Sequence, residues 1–167
     1  MSDEMIARYR HLVENGSDNF QGLGIMQYST QIKRLIAKTD SKTVLDYGCG
    51  RGDQYTLQHQ DEFWGVDRPT LYDPAFASHD QLPEGKFDAV ICSDVLEHVP
   101  FDEAEELIRR LFDYSNKFVW ASVCCRKAKK EFEDGLNMHI TIQPFWWWQA
   151  KFAKLSKGKQ HLLVETR

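Results

Sequence analysis

The chain has 167 residues, of which 42% are hydrophobic, and its formal net charge is −4. This length suits one domain with a sizeable core, and the negative charge disfavours a surface that binds polyanions throughout. No apolar run approaches the roughly 18 residues needed to cross a bilayer, and the first ten residues lack the apolar core of a signal peptide. With four cysteines that lack zinc-type spacing, these features predict a cytoplasmic protein without a membrane partner.

Two amphipathic segments lie at the start of the chain. Apolar residues recur at helical spacing over Asp3–Glu14 and again over Ile25–Ala37. Residues 1–40 are therefore predicted to form a helical N-terminal cap.

The rest of the chain alternates between short β-prone runs and helical stretches. Helices are predicted at Pro100–Tyr114, with acidic residues in its first turns, and near Pro144–Leu155. The alternation predicts an α/β fold, with a mainly parallel sheet flanked by helices, in one domain over residues 1–167 whose core is 41–167. The predicted strands are Thr43–Tyr47, either Phe63–Asp67 or Thr70–Asp73, Lys86–Ser93, Phe118–Cys125 and His161–Glu165.

The sequence VLDYGCGRGD at Val44–Asp53 places three glycines at every second position. A phosphate-binding P-loop needs a Lys-Ser/Thr pair after its last glycine, whereas Gly52 is followed by Asp53 and a glutamine. A dinucleotide fingerprint needs two residues before its third glycine, and Asp46 and Asp53 would repel a pyrophosphate. The loop therefore favours a ligand that has an ammonium group and no phosphate.

Two segments resemble the class I S-adenosylmethionine-dependent methyltransferases. LDYGCGRG resembles motif I of that family, and FDAVICSDVLEHV at Phe87–Val99 resembles its fourth-strand motif with the loop that follows. The resemblance implies a methyltransferase with a Rossmann-like fold, and a trimmed one, because the stretch before Phe87 is short for the family. It also implies cofactor contacts by Asp46, Tyr47, Gly48, Cys49, Gly50, Gly52, Ser93, Asp94 and Val95.

The family uses an acidic residue at the end of the second strand to hold both ribose hydroxyls, since a carboxylate has two acceptor oxygens. Asp67 and Asp73 are both candidates. We favour Asp73 slightly, because Pro69 and the β-prone run Thr-Leu-Tyr suit a strand that starts after the proline.

The loop after the fourth-strand motif, DVLEH, lies where the methyl acceptor binds in this family, and NMH follows the next strand. Glu97 and His98 either shape the cofactor loop or act at the acceptor, where His98 or His139 would remove a proton. A third reading is a metal site for Mg²⁺ or Mn²⁺ formed by Asp94, Glu97, His98 and His139. This set is similar to the E-x-x-E-H motif with a distant histidine in small-RNA terminal 2′-O-methyltransferases. The catalytic candidates are Glu97, His98 and His139.

The run RKAKK at 126–130 carries four positive charges. It is either a solvated loop or a site for an anionic acceptor, which would be a phosphorylated metabolite or a nucleic-acid backbone. We expect methyl transfer from S-adenosylmethionine to oxygen or nitrogen of a small molecule. The alternatives are a metal-assisted RNA 2′-O-methyltransferase and a catalytically silent module that only binds the cofactor.

Overall fold

The computed structural model describes residues 2–16 and 20–166, so the predicted ranges 1–40 and 41–167 both include residues outside this description. Two short 3₁₀ segments, Leu23–Tyr28 and Leu96–His98, accompany the regular elements. The helices are α1 (Asp3–Glu14), α2 (Ser29–Thr39), α3 (Asp53–Thr56), α4 (Gln60–Trp64), α5 (Ala104–Tyr114) and α6 (Phe145–Leu155). The strands are β1 (Val44–Tyr47), β2 (Thr70–Tyr72), β3 (Phe87–Ser93), β4 (Ser115–Cys124) and β5 (Gln160–Thr166).

The five strands of the described chain form one sheet in the order β2-β1-β3-β4-β5, and every pair is parallel. Asp46 of β1 lies between Leu71 of β2 and Ile91 of β3. The predicted α/β fold is confirmed. The two strands that follow β1 in the chain, β2 and β3, lie on opposite sides of it. A crevice therefore opens at the carboxyl ends of β1 and β3, where such sheets bind ligands.

Strand β3 shows why the sheet is covered on both faces. Val90 and Cys92 belong to the buried cluster that includes α5 and α6, whereas Ala89 and Ile91 belong to the cluster that includes α2. All four side chains are fully buried. A strand that is buried on both faces has a continuous apolar sequence, as the run Ala-Val-Ile-Cys does.

The two N-terminal helices have different positions. In α2, Ile32 and Ile36 pack in the cluster on one face of the sheet. In α1, Met5 and Tyr9 instead pack with residues of the loops after β2 and β4, among them Phe132. The predicted helical cap over the strand ends is therefore α1, while α2 is part of the layer that covers the sheet.

The predicted strand at Phe63–Asp67 is wrong. Its first residues belong to helix α4, which ends at Gly65 in the left-handed conformation, with a φ of 71°. The indole nitrogen of Trp64 donates to Ser29 Oγ at 3.0 Å, which binds this helix to α2. The second strand is Thr70–Tyr72, as in the other alternative.

The stretch at 73–86, which joins β2 to β3, consists of turns, bends and irregular chain. This is expected for a methyltransferase-like domain in which the segment before β3 is short. Of the helices that the structure describes, none is long and apolar enough to cross a membrane.

Candidate active site

A cavity of about 990 Å³ opens at the carboxyl ends of β1, β2 and β3. Its walls are the glycine loop after β1, helix α1, the loop after β3 and the segment at 126–139. The volume is at the upper end of the roughly 300–1,000 Å³ of small-molecule sites. This leaves room for a cofactor and a second small molecule.

The glycines after β1 are required by close contacts. Gly48 and Gly50 have φ values of 84° and 59°, which favour glycine over other residues. A Cβ atom on Gly48 would lie 2.2 Å from Val95 Cγ2, and one on Gly50 would lie 2.3 Å from the carbonyl oxygen of Phe20. The loop is therefore enclosed by the loop after β3 on one side and by the N-terminal segment on the other.

The N-terminal segment crosses the glycine loop with its backbone. Phe20 O accepts from Arg51 N at 2.8 Å, and Gln21 O accepts from Asp53 N at 3.1 Å. A Cβ atom on Gly22 would lie 2.5 Å from a carbonyl oxygen of the glycine loop. This crossing was not predicted from the sequence.

Gly24 makes a similar close approach to the loop after β3. A Cβ atom there would lie 2.8 Å from Asp94 Oδ2. The signal in the sequence is the run Gly22-Leu23-Gly24, a second pair of glycines at alternate positions.

Asp73 is placed at the cavity and Asp67 is not. Asp73 directly follows β2, and its carboxylate accepts from Gly50 N and Ala75 N, each at 2.9 Å. Burial raises the pKa of Asp73, although these two N–H groups favour its charged form. Each carboxylate oxygen can accept a second bond, so the side chain retains capacity for ligand hydroxyls. Asp67 lies in the loop after α4, away from the cavity wall.

Asp46 is a buried carboxylate beneath the glycine loop. Its Oδ2 accepts from Tyr55 Oη at 2.7 Å and from Gln54 Nε2 at 2.9 Å. Burial raises the pKa of Asp46 to about 6, against the effect of these hydrogen bonds. The side chain therefore both lines the cavity and holds the helix that follows the glycines in place.

The structure brings most of the predicted cofactor residues to one cavity and leaves three outside its wall. Cys49 is buried in the loop, Gly52 directly precedes α3, and Asp67 lies in the loop after α4. Those that line the cavity are Asp46, Tyr47, Gly48, Gly50, Asp73, Ser93, Asp94 and Val95.

Asp94 has a left-handed backbone, with a φ of 55°. Its Oδ1 accepts from Ser122 Oγ at 3.0 Å, and its Oδ2 accepts from Ser93 Oγ at 3.2 Å. A non-glycine residue in this conformation costs free energy and is found preferentially at functional sites. The conformation directs the carboxylate towards β4.

Three of the four predicted metal ligands form a cluster. One side-chain ligand atom each of Glu97, His98 and His139 lies within 4.8 Å of the other two. Asp94 is not in this group, because its carboxylate is bound to the two serines. The predicted four-residue set is therefore reduced to one carboxylate and two imidazoles.

Glu97 is fully buried, and its Oε1 accepts from Cys124 N at 2.9 Å. Its Oε2 is buried without a hydrogen-bond partner among the described residues. Burial, together with the nearby carboxylate of Asp94, raises the pKa of Glu97 to about 8. The side chain therefore carries a proton at neutral pH unless a cation replaces it.

The two histidines are oriented by backbone carbonyl groups. His98 Nδ1 lies 3.0 Å from Met138 O, which also accepts from Tyr9 Oη at 2.8 Å. His139 Nδ1 lies 2.6 Å from Arg126 O. Because a carbonyl oxygen only accepts, these contacts favour the tautomer with the hydrogen on Nδ1 in both rings, which leaves a lone pair on each Nε2. Burial, together with the electrostatic effect of the neighbouring His139, lowers the pKa of His98 to about 4, so His98 is neutral at neutral pH.

An all-parallel sheet with a glycine loop, an acid at the end of the second strand and a cavity over the strand ends defines a Rossmann-like enzyme with a nucleoside-type cofactor. A family model described as a methyltransferase domain matches residues 24–159. The chain therefore belongs to this methyltransferase-domain family, and it is an S-adenosylmethionine-dependent methyltransferase. A search of curated proteins found no match. Helix α1, which carries Tyr9, precedes the matched residues.

Proposed function

We propose that this enzyme methylates an oxygen or nitrogen atom of a small molecule. The observation that carries the proposal is a single cavity whose wall includes both the glycine loop and the pair His98–His139. A donor at the glycines and an acceptor at the histidines would lie in the same enclosed space, and bringing two reactants together in this way accounts for much of the rate in such transfers.

The residues at the glycine loop fit S-adenosylmethionine. This cofactor supplies a methyl group on a positively charged sulfonium, next to an ammonium group and a ribose. We infer that Asp73 holds the ribose hydroxyls, because its carboxylate lies at the end of β2 and faces the cavity. The carboxylates of Asp46 and Asp94, also in the wall, complement the positive charge.

The histidines fit the task of proton removal. Both present a lone pair on Nε2, and His98 is neutral over the physiological range. We propose that His139 accepts the proton of the acceptor group, with His98 next to it. Their ring centroids are 4.9 Å apart. Glu97 supports the loop through its bond to Cys124 N.

A metal-assisted reaction is the second candidate. The unpartnered Glu97 Oε2 and the two Nε2 atoms make a compact donor set, and an ion there would hold the acceptor oxygen and lower its pKa. Two imidazoles with one carboxylate suit Mn²⁺ better than Mg²⁺, which prefers oxygen ligands. If an ion binds here, RNA 2′-O-methylation is the alternative to methylation of a small molecule.

Calorimetry with S-adenosylmethionine is the first test, followed by transfer of labelled methyl groups to metabolite pools and to RNA, with a chelator and with Mg²⁺ or Mn²⁺. We expect cofactor binding and labelling of small molecules in the presence of the chelator. Loss of transfer with the chelator and recovery with Mn²⁺ would favour the metal. Labelling of RNA alone would contradict the small-molecule acceptor, and binding without any transfer would favour a silent module. The cytoplasmic location stays a prediction.

A further inference from the structure

The cavity wall carries charged groups of both signs, which come from different segments of the chain. The glycine loop and its neighbours contribute the carboxylates of Asp46, Asp73 and Asp94. All four basic residues of the run at 126–130 lie in the wall that the loop after β4 forms. A positively charged cofactor is favoured beside the carboxylates, so the basic segment is left for the acceptor.

The basic loop is held in place by specific hydrogen bonds. The side-chain amide of Asn137 accepts from Ala128 N and donates to Ala128 O, both at 3.0 Å. Met138 N donates to Lys130 O, and the buried ring of Phe132 packs against Tyr9, with ring centroids 5.2 Å apart. The backbone between Lys127 and Lys129 is therefore fixed over the cavity.

Lys127 and Lys129 are the exposed cations of this loop that have no ion pair or hydrogen bond with another residue of the described chain. Arg126 differs, because its guanidinium reaches Thr166 O at 3.4 Å. Two unpaired ammonium groups on a fixed backbone, in the wall of a cavity, form a site for an anion.

The basic loop is joined to the proposed base. Arg126 O, at the start of the run, accepts from His139 Nδ1 at 2.6 Å. A molecule with its reacting atom at His139 would thus have the lysines directly beside it.

We propose that the methyl acceptor is a small molecule with a phosphate or carboxylate group, which Lys127 and Lys129 bind while its reacting hydroxyl or amine lies at His98 and His139. The inference rests on the proposed function. A nucleic acid fits less well, because a polyanion needs a stripe of basic groups. Here the basic run is followed at once by three exposed acids, Glu131, Glu133 and Asp134.

The test is calorimetric titration of the protein saturated with S-adenosylmethionine. The probes are inorganic phosphate, malonate as a carboxylate, and a twelve-nucleotide RNA. The double variant Lys127→Ala/Lys129→Ala is compared with Lys38→Ala/Lys86→Ala, which removes two exposed lysines outside the cavity wall and changes the net charge equally. We expect phosphate or malonate to bind the wild type and the control, and to bind the first variant about tenfold more weakly, with cofactor affinity unchanged in all three.

Stronger binding of phosphate than of malonate would identify the anion as a phosphate, and the reverse would identify a carboxylate. The inference is overturned if neither phosphate nor malonate binds the wild type saturated with cofactor, or if the two double variants bind these anions with equal affinity. It is also overturned if RNA is the only probe that binds. Failure of cofactor binding would instead contradict the proposed function, and it is seen in the same titrations before any anion is added.

Discussion

Replacement of Gly50 by alanine tests whether the glycine loop and the N-terminal segment form one structural unit. Gly50 has a φ of 59°, and a Cβ atom there would lie 2.3 Å from Phe20 O. This oxygen belongs to the backbone and accepts from Arg51 N at 2.8 Å, so it cannot move away without weakening that bond. The neighbouring bond from Asp53 N to Gln21 O would be disturbed as well.

The expected loss of stability combines two effects. A left-handed backbone costs a non-glycine residue about 1–2 kcal/mol. Each of the two backbone hydrogen bonds contributes about 0.5–1.5 kcal/mol. Gly50→Ala should therefore lower the free energy of unfolding by about 2–5 kcal/mol.

Gly158→Ala is the matched control. Gly158 has a φ of 83°, yet no atom lies within 4 Å of the position that a Cβ would take. Only the backbone cost remains, about 1–2 kcal/mol. Urea unfolding measures both losses, and calorimetry with S-adenosylmethionine is expected to show weaker binding for Gly50→Ala alone. Equal losses of stability in the two variants, with normal cofactor binding in both, would refute the account of this contact.

Three further variants test individual side chains. Asp73→Ala should weaken S-adenosylmethionine binding about tenfold or more, because it removes a ribose acceptor and the hydrogen bond from Gly50 N. Asp67→Ala should leave binding unchanged, and equal effects of the two variants in calorimetry would contradict Asp73 as the ribose ligand. Asp46→Asn removes a carboxyl group whose pKa is raised by burial from 3.8 to about 6. The wild type must lose this proton from a buried site as the pH rises from 4 to 7, so its free energy of unfolding should fall relative to that of the variant by on the order of 3 kcal/mol. Urea unfolding at both pH values measures this difference, and a constant difference would argue against the buried charge. His139→Ala should slow methyl transfer about 10²–10⁴-fold with unchanged cofactor affinity; an unaltered rate would exclude His139 as the base.

The parts of the site that depend on local sequence could be predicted. The alternate glycines after Tyr47 predicted a tight loop and the apolar run in β3 predicted a buried parallel strand, and the structure confirms both. The run at Phe63–Asp67 was one of two alternatives for the second strand, because two adjacent aromatic residues suit a short helix and a strand equally well. The left-handed Gly65, which ends the helix, decided between them.

The parts that depend on distant contacts could not be predicted. Spacing alone places Asp94 on one turn with Glu97 and His98, but its hydrogen bond with Ser122, on the neighbouring strand, holds its carboxylate elsewhere. The position of α1 over the cavity likewise depends on the contact of Tyr9 with His98, whose Nδ1 lies 2.8 Å from Tyr9 Oη. No pattern within either segment encodes these pairs.

The most direct test of the account is calorimetric titration of the wild-type chain with S-adenosylmethionine, with Asp73→Ala as the paired variant. We expect one molecule bound per chain in the wild type and weaker binding in the variant, with both proteins folded. Absence of binding to a folded wild-type chain would contradict the central claim that the glycine loop and Asp73 form the cofactor site.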